Sequence, residues 1–394
     1  MKRNMTFRYA LIVMSYWASF ACISAFASVY LLDFGFSNST IGILLALACI
    51  FSALLQPFLT SWADRPGSPS LRKIAAVLGI CSAAVCALIR VCSLIGAVSI
   101  AVAYILALIL LRILQPIVSA IGMEAINNGH ELNFGISRSG GSVGYAIISF
   151  GMGLMTARFS PRIIPLCSAG FFTLFIISVL TYPREENACR KASGAPPVNS
   201  ARLFRKYRYF LTLLLGCVFL FCCHSIVNTF NLQIITSKGG SSSEMGTATA
   251  IAACIEIPGM ILFAALNRKL RCGTLLMFSG LFFCLKCLAS QLVPSIPSYY
   301  CIQIFQLFGW GIYAVASVRY VNSIMGPEDT VKGQGWLTVA ELIGSVIGTI
   351  VGGFLIDRVG IPGLLIFGLC AGVVGTVLIG LCNRKIRIPT AVNQ

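Results

Sequence analysis

Residues 123–146 read MEAINNGHELNFGISRSGGSVGYA, a short polar loop that joins two long apolar runs. Glu124 closes the first run, Arg138 opens the second, and Tyr145 follows Arg138 by seven residues. Seven residues are close to two turns of an α-helix, so Arg138 and Tyr145 point to the same side of that helix. A guanidinium group near the membrane core is costly, and an arginine there is usually paired or functional. This stretch therefore predicts the polar floor of a cavity inside a bundle of membrane helices.

The composition of the whole chain is that of an integral membrane protein. Of its 394 residues, 57% are hydrophobic and only 10% are charged, and the mean hydropathy is +0.89. The net charge of +17 does not indicate nucleic-acid binding, because the basic residues fall in alternate loops. The 17 cysteines lie almost wholly inside apolar runs without metal-ligand spacing, so we interpret them as small core residues.

Windows of about 20 apolar residues predict an all-α membrane protein with twelve transmembrane helices. The helices form two six-helix halves, 1–182 and 209–394, joined by a polar cytoplasmic linker over 183–208. Both halves carry glycines four residues apart in their fifth helix, which is expected if the halves are repeats that pack helices closely in lipid. The predicted helices are approximately 9–32, 41–62, 74–95, 97–123, 137–157, 163–182, 209–236, 246–266, 273–292, 299–325, 336–356 and 361–382.

The distribution of Lys and Arg predicts the orientation. With a cytoplasmic N-terminus, the predicted outer loops contain only Arg158, Arg162, Lys238 and Arg358 of the 29 basic residues. Most of the others lie in inner loops or in the linker, as cytoplasmic loops require. We therefore expect both termini to be cytoplasmic, in a multi-pass protein of a bacterial inner membrane.

The loop after the second predicted helix, SWADRPGSPSLRK at 61–73, resembles the signature of the major facilitator superfamily. The resemblance implies a gating loop that holds the two halves together through contacts between charges and helix ends. A partial repeat of the signature, GGFLIDRVG, occurs at 352–360 and contains Asp357. The residues that match the signature are Asp64, Arg65, Gly67, Arg72 and Lys73.

Within the superfamily, the chain resembles the oligosaccharide:proton symporters, the lactose permease-like group. The resemblance rests on two motifs, FGISRSGGSVGYA at 134–146 and AIAACIEIPG at 250–259. The resemblance implies that Arg138 binds solute hydroxyls, that Tyr145 stacks on the solute ring and that Glu124 pairs with the arginine. It also places Glu256 on a carboxylate that contacts sugar and helps to couple protons.

The coupling residues of that group are replaced in this chain. Its tenth helix carries Lys, His and Glu, whereas CIQIFQLFGWG at 301–311 offers Gln303, Gln306 and Gly309. A partly desolvated carboxylate can carry a proton instead. The candidates are Glu256 and Glu341, with Lys286 as counter-charge and with Arg112, which resembles the buried fourth-helix arginine of the superfamily.

An alternative interpretation of the same charges is structural. Glu256 with Lys286, and Glu341 with Arg319, would then be static ion pairs that hold helices together. His224 in the seventh helix also has two interpretations: it is either a packing residue or a functional one.

Taken together, these patterns favour a secondary active transporter that works by alternating access. Its expected partners are the lipid bilayer, a proton and a small hydroxylated solute, either a sugar or oligosaccharide or a nucleoside, and it is expected to act as a monomer. The alternatives are a drug or metabolite exporter and an uncoupled facilitator. We find no ATP-binding loop and no pairing of a nucleophile with a base, so an enzyme and a cofactor are not expected.

Overall fold

The computed structural model describes residues 5–63, 65, 67–183 and 200–385. Over these residues the regular secondary structure is helical, and twelve helices are long and apolar enough to cross a membrane. Lipid supplies no hydrogen-bond partners, so a spanning segment must satisfy its backbone internally, which a helix does. The predicted fold class and the predicted number of spans are confirmed.

The chain divides into two compact units. The first consists of Met1–Phe36 and Leu47–Gly194, and the second of Ser37–Ala46 and Ala195–Gln394. The second unit therefore includes ten residues, Ser37–Ala46, that lie far ahead of the predicted linker in the sequence. Most of that linker, residues 184–199, lies outside the described residues.

The first unit is built from seven helices, of which α3 begins in the segment that belongs to the second unit. A π-helical turn at Ala21–Ala25 continues α1, and a 3₁₀ turn at Pro161–Ile163 precedes α7. The helices are α1 (Met5–Phe20), α2 (Ala27–Asp33), α3 (Asn38–Ala63), α4 (Leu71–Cys92), α5 (Ala97–Asn127), α6 (Phe134–Arg158) and α7 (Ile164–Thr181).

The second unit contains ten helical segments. Its third span is one continuous helix, Cys272–Leu292, whereas the next span is broken into three helices around a 3₁₀ turn at Ile302–Ile304. The helices are α8 (Ser200–Lys206), α9 (Phe210–Thr229), α10 (Asn231–Thr236), α11 (Ser242–Leu266), α12 (Cys272–Leu292), α13 (Ile296–Cys301), α14 (Phe305–Phe308), α15 (Trp310–Ile324), α16 (Pro327–Val359) and α17 (Ile361–Lys385).

Buried tyrosines join α1 to α5 in the first unit. The Tyr9 hydroxyl donates to the Val118 carbonyl at 3.1 Å, and the Tyr16 hydroxyl donates to the Leu111 carbonyl at 3.0 Å. Both rings are almost fully buried, so each hydroxyl needs a partner inside the protein. These bonds fix the rotation of α1, which carries aromatic residues of the candidate site.

Glycines allow α16 to touch the backbone of α9 in the second unit. A methyl group on Gly344 would collide with the Val218 carbonyl, and one on Gly348 would lie 2.7 Å from the Cys222 carbonyl oxygen. Small residues permit this approach in lipid, where the burial of apolar surface does not drive helices together. The glycine spacing that the sequence shows in α16 thus corresponds to a real helix contact.

In the predicted gating loop, the arginine side chain caps a helix. Arg72 donates to the carbonyl oxygens of Tyr182 at 2.9 Å and Leu180 at 2.7 Å, and Arg8 donates to Thr181 at 2.8 Å. The two guanidinium groups satisfy carbonyls that the end of α7 leaves without helical partners. They also oppose its negative dipole end.

The other residues of the predicted gating loop lie in different local environments. Gly67 has a φ of +86°, a conformation that suits glycine, and Arg65 is exposed. The Lys73 amide donates to the Ser70 side chain at the start of α4, at 3.4 Å. Asp64 lies outside the described residues.

Asp357 caps the first turn of α3 within the second unit. Its Oδ1 accepts hydrogen bonds from the amide and the side chain of Asn38, at 3.3 and 2.8 Å. Its Oδ2 accepts from the amide and the hydroxyl of Ser39, at 2.7 and 2.5 Å. A carboxylate at this position satisfies orphan amides and interacts favourably with the helix dipole.

The end of the predicted linker packs on α16. Lys206 Nζ lies 2.7 Å from Asp329 Oδ2, and the Tyr207 hydroxyl donates to the same oxygen at 3.2 Å. The hydrogen bond from Lys206 lowers the pKa of the Asp329 carboxyl below its usual value. The linker end is therefore a structured part of the second unit.

Replacing Arg72 with Gln should destabilise the protein, because it removes two hydrogen bonds from a charged donor, worth roughly 1–3 kcal/mol in total. Thermal unfolding of the purified protein in detergent measures the effect. Arg65→Gln is the matched control, since it removes an exposed guanidinium from the same loop. Equal unfolding temperatures for the two variants would contradict the capping role.

Replacing Asp357 with Asn should loosen the start of α3, because the amide side chain loses both charge and one acceptor. A loss of about 1 kcal/mol, typical of a helix cap, corresponds to roughly fivefold faster hydrogen exchange in residues 38–42. Mass spectrometry of exchanged peptides reports this change. Asp33→Asn, which breaks an exposed pair with Arg162 elsewhere, should leave that peptide unaffected.

Candidate functional site

In the first unit, α6 brings its arginine and tyrosine to the aromatic face of α1. The Arg138 guanidinium carbon lies 4.7 Å from the centre of the Trp17 ring. The Tyr145 ring meets Trp17 edge-on at 6.3 Å and lies 6.4 Å from Phe20. The arrangement combines a cation over an indole face with an adjacent phenol ring, which suits a solute with a flat or apolar face and polar substituents.

The close approach of α6 to α1 makes these contacts possible. A methyl group on Gly141 would lie 2.5 Å from the Trp17 ring, and one on Gly144 would lie 2.7 Å from Met14. The glycine-rich sequence between the arginine and the tyrosine therefore fits the surface of α1. Two of the predicted binding side chains, seven residues apart, both contact Trp17 as a result.

Two further predicted residues of this unit lie on α5. Glu124 is half-buried in the last turn of that helix, and Arg112 lies one residue beyond Leu111, which accepts the Tyr16 hydroxyl. The buried Nε of Arg112 makes no hydrogen bond within the described part of the chain. Arg138 lies over the ring of Trp17, the residue after Tyr16, and Arg112 follows the residue whose carbonyl accepts the Tyr16 hydroxyl, so both arginines are placed near Tyr16.

In the second unit, three polar side chains from three helices, two of them buried and one half-buried, are joined in a row. Lys286 of α12 donates from Nζ to Gln306 Oε1 at 2.7 Å. Gln306 of α14 donates from Nε2 to Glu256 Oε1 of α11 at 2.8 Å. Lys286 is 5% exposed and Gln306 3% exposed, so the row is held almost entirely by protein groups. The sequence placed Lys286 and Glu256 together but did not identify Gln306 as the group between them.

Aromatic rings lie next to this row. His224 stacks on Trp310 with ring centres 4.8 Å apart and an interplanar angle of 11°, and it lies 4.9 Å from Phe283. Phe283 precedes Lys286 by three residues on α12, so the two side chains share a face of that helix. Trp310 begins α15, directly after the irregular backbone at Gly309 that ends the helix of Gln306. Sequence reasoning missed Trp310, which stands four residues after Gln306 in the chain.

His224 is held by its own neighbour on α9. The Asn228 side-chain nitrogen lies 3.0 Å from His224 Nε2 and donates to the His224 carbonyl at 2.9 Å. The imidazole thus has both a stacking partner and a hydrogen-bonding partner. His224 therefore belongs to the ring cluster with Trp310 and Phe283.

The broken span places the glutamine. The 3₁₀ turn at Ile302–Ile304 and the irregular backbone at Gly309 separate α13, α14 and α15. Gly311 of α15 approaches α11 so closely that a methyl group there would lie 2.8 Å from the Glu256 carbonyl oxygen. Interrupted helices are a common way to build solute sites in membrane transporters.

Glu341 of α16 is separate from the polar row. Its Oε1 accepts a hydrogen bond from the Tyr313 hydroxyl at 3.1 Å. The guanidinium carbon of Arg319 lies 5.9 Å from the Phe263 ring instead. Among the described residues, no ion pair joins Glu341 to Arg319, so that static pairing is not made.

The fold is shared with solved membrane transporters. The nucleoside transporter NupG is 15% identical, with 98% of this chain and 99% of that chain covered and a TM-score of 0.78. A variant of the same transporter gives a TM-score of 0.83 at 13% identity, over 98% and 100% of the two chains. A bacterial homologue of the human lysosomal transporter Spinster gives 0.69 at 15% identity, with 98% of each chain covered.

An auto-inhibited POT family peptide transporter matches with a TM-score of 0.71 at 10% identity, again over 98% of each chain. Identities this low show the fold alone. No curated protein matches the chain. The model of the MFS_1-like family, however, matches residues 6–364. With its twelve spans, the chain therefore belongs to the MFS_1-like family of major facilitator transporters and is not an enzyme.

Proposed function

We propose that this transporter imports a small hydroxylated solute together with a proton by alternating access. Nucleosides are the first candidate class and sugars or oligosaccharides the second. The observation that carries the proposal is the polar row of Lys286, Gln306 and Glu256 beside the His224–Trp310 stack. The similarity to a nucleoside transporter supports the choice of the first class.

The chemistry of the row and the rings matches such a solute. A carboxylate accepts hydrogen bonds from vicinal hydroxyls, and an amide offers both a donor and an acceptor. Stacked rings offer a flat surface to a nucleobase or to the C–H face of a sugar. Glu256 therefore contacts the hydroxyl-bearing part of the solute, and the rings contact its flat part.

The first unit carries its own candidate set of solute contacts. Arg138 supplies forked donors to hydroxyl or carbonyl oxygens, and Tyr145 stacks on a ring. Glu124 at the end of α5 pairs with Arg138 and orients it. The cation over the Trp17 face supports this assignment, because it fixes the guanidinium in one direction.

Proton coupling is assigned to a carboxylate in the second unit, either Glu256 or Glu341. Lys286 serves as counter-charge to the first, and Arg112 is a further coupling candidate in the first unit. The loop with Asp64, Arg65, Gly67, Arg72 and Lys73 acts as a gate. The protein works as a monomer in a bacterial inner membrane with both termini in the cytoplasm.

An uncoupled facilitator is the second candidate function. The described tenth span places Gln303 and Gln306 at buried positions, and neither side chain titrates. A drug or metabolite exporter is a weaker candidate, because Arg138 and the buried polar row favour a hydroxylated solute over an apolar one.

Arg138→Ala should raise the concentration of solute needed for half-maximal uptake by about tenfold or more, because a hydrogen bond from a charged group is lost. The measurement is uptake of labelled nucleosides and sugars into vesicles. Arg90→Ala, which removes an exposed arginine near the outer end of α4, is the control. If wild type takes up no member of the panel, the solute class is wrong and export becomes the leading function.

Replacing the proton-carrying carboxylate with an amide should abolish accumulation driven by an inward proton gradient while preserving exchange of labelled for unlabelled solute, since an amide cannot carry the proton. Glu341→Gln gives this result if Glu341 is the carrier, and Glu256→Gln gives it if Glu256 is. Glu131→Gln, in the exposed loop before α6, should keep both activities. Accumulation by wild type that is indifferent to the gradient would make the protein a facilitator.

A further inference from the structure

Within the described part of the chain, Gln306 contacts both charged members of the polar row. It accepts from the Lys286 ammonium at 2.7 Å and donates to the Glu256 carboxylate at 2.8 Å. Two hydrogen bonds through a neutral amide thus connect the ammonium group to the carboxylate.

The orientation of the amide follows from the chemistry of its neighbours. An ammonium group has donors only, so the atom that faces Lys286 must be the amide oxygen. The amide nitrogen then faces Glu256 and needs an acceptor, which an ionised carboxylate always provides. The geometry therefore fits a protonated Lys286 and an ionised Glu256 at the same time.

The backbone holds the amide in place. A methyl group on Gly259, three residues beyond Glu256 on α11, would collide with the Leu307 carbonyl, the residue next to Gln306. A methyl group on Gly311 would in turn lie 3.0 Å from the Gly259 Cα. Because the two backbones are in contact on this side, α11 and the broken span hold the Cα atoms of Glu256 and Gln306 at a fixed separation.

We infer that Gln306 is a positioning residue that keeps Glu256 ionised as a hydrogen-bond acceptor for the solute, so that Glu256 is not the proton carrier. The inference rests on the proposed function, in which Glu256 contacts the solute. An ionised Glu256 favours solutes whose hydroxyl or amino groups can donate a hydrogen bond to it. The coupling proton then belongs to Glu341, which accepts a hydrogen bond from the Tyr313 hydroxyl.

Two titratable groups of α9 lie close to the row. The His224 ring lies 4.9 Å from the Phe283 ring, and the Cys223 thiol donates to the Phe283 carbonyl at 3.8 Å, one turn before Lys286 on α12. Both are present in every variant used below, so differences between variants report on the row itself.

The first test needs no solute. Infrared spectra of the purified protein are recorded between about pH 5 and pH 9, the range over which shifted carboxyls titrate. Wild type is compared with Glu256→Gln and Glu341→Gln. We expect wild type to show a protonated-carboxyl band that is lost in Glu341→Gln and unchanged in Glu256→Gln. A wild-type band that disappears in Glu256→Gln would overturn the inference.

The second test replaces the amide of Gln306, between Lys286 and Glu256, with a carboxylate. In Gln306→Glu two carboxyl groups face each other at hydrogen-bond distance and must share one proton. A new protonated-carboxyl band should appear, and binding of the transported solute, uridine first, should weaken with rising pH by up to about tenfold per unit. An unchanged pH profile of binding would contradict the bridging role.

Two variants separate positioning from a general effect of mutation. Gln303 is equally buried, but its nitrogen donates to the Tyr299 carbonyl at 3.1 Å, so Gln303→Glu should keep the wild-type pH profile of binding. Gln306→Met keeps the volume and removes both hydrogen bonds, and it should raise the solute Kd by about tenfold. Wild-type affinity in Gln306→Met would overturn the inference. If wild type binds no solute, the proposed function fails, while the infrared result still decides the charge of Glu256.

Discussion

Direct contact between helix backbones is the constraint on which the rest of this structure depends. Helices in lipid gain little from burying apolar side chains against one another, so they associate where small residues let them pack closely. Gly344 and Gly348 bring α16 onto α9, and Gly141 and Gly144 bring α6 onto α1. Gly259 and Gly311 do the same for α11 and α15. Each of these contacts lies beside a residue of the candidate site.

Close packing also determines how buried charge is accommodated. A charged side chain inside a membrane protein is stable only when its hydrogen-bonding capacity is met. Lys286 and Glu256 meet this condition through Gln306. At helix ends, the exposed Asp357 binds the first turn of α3, and Arg72 binds the free carbonyls at the end of α7. An amide and two helix ends thus satisfy these charged groups.

The two units use related chemistry on different helices. In the first unit an arginine lies over Trp17, and in the second a histidine stacks on Trp310. Each unit thus places an indole ring beside its candidate polar side chains. A ring beside polar side chains suits the proposed solute, which has a flat part and hydroxyl groups. This common pattern is the physical basis of the proposed solute class.

Much of the fold and part of the candidate site could be predicted from local features of the sequence. Hydropathy over about 20 residues defines the twelve spans, and the helical period places Arg138 and Tyr145 on one face. The family signature in the loop before α4 drew attention to Arg72, although Asp64 lies outside the described residues. The role of Arg72 at the end of α7 was not visible, because the acceptors lie more than a hundred residues away.

What the sequence by itself determined was therefore the class of the protein, its helices and the identity of most candidate polar residues, since these depend on composition and short-range periodicity. Only the tertiary structure decided which of those residues meet. It placed Gln306 between Lys286 and Glu256, stacked Trp310 on His224 and separated Glu341 from Arg319. The physical reason is that a hydrogen bond or a ring stack between helices depends on which helices are neighbours and on their rotation. Neither property is encoded in the spacing of residues along a single helix.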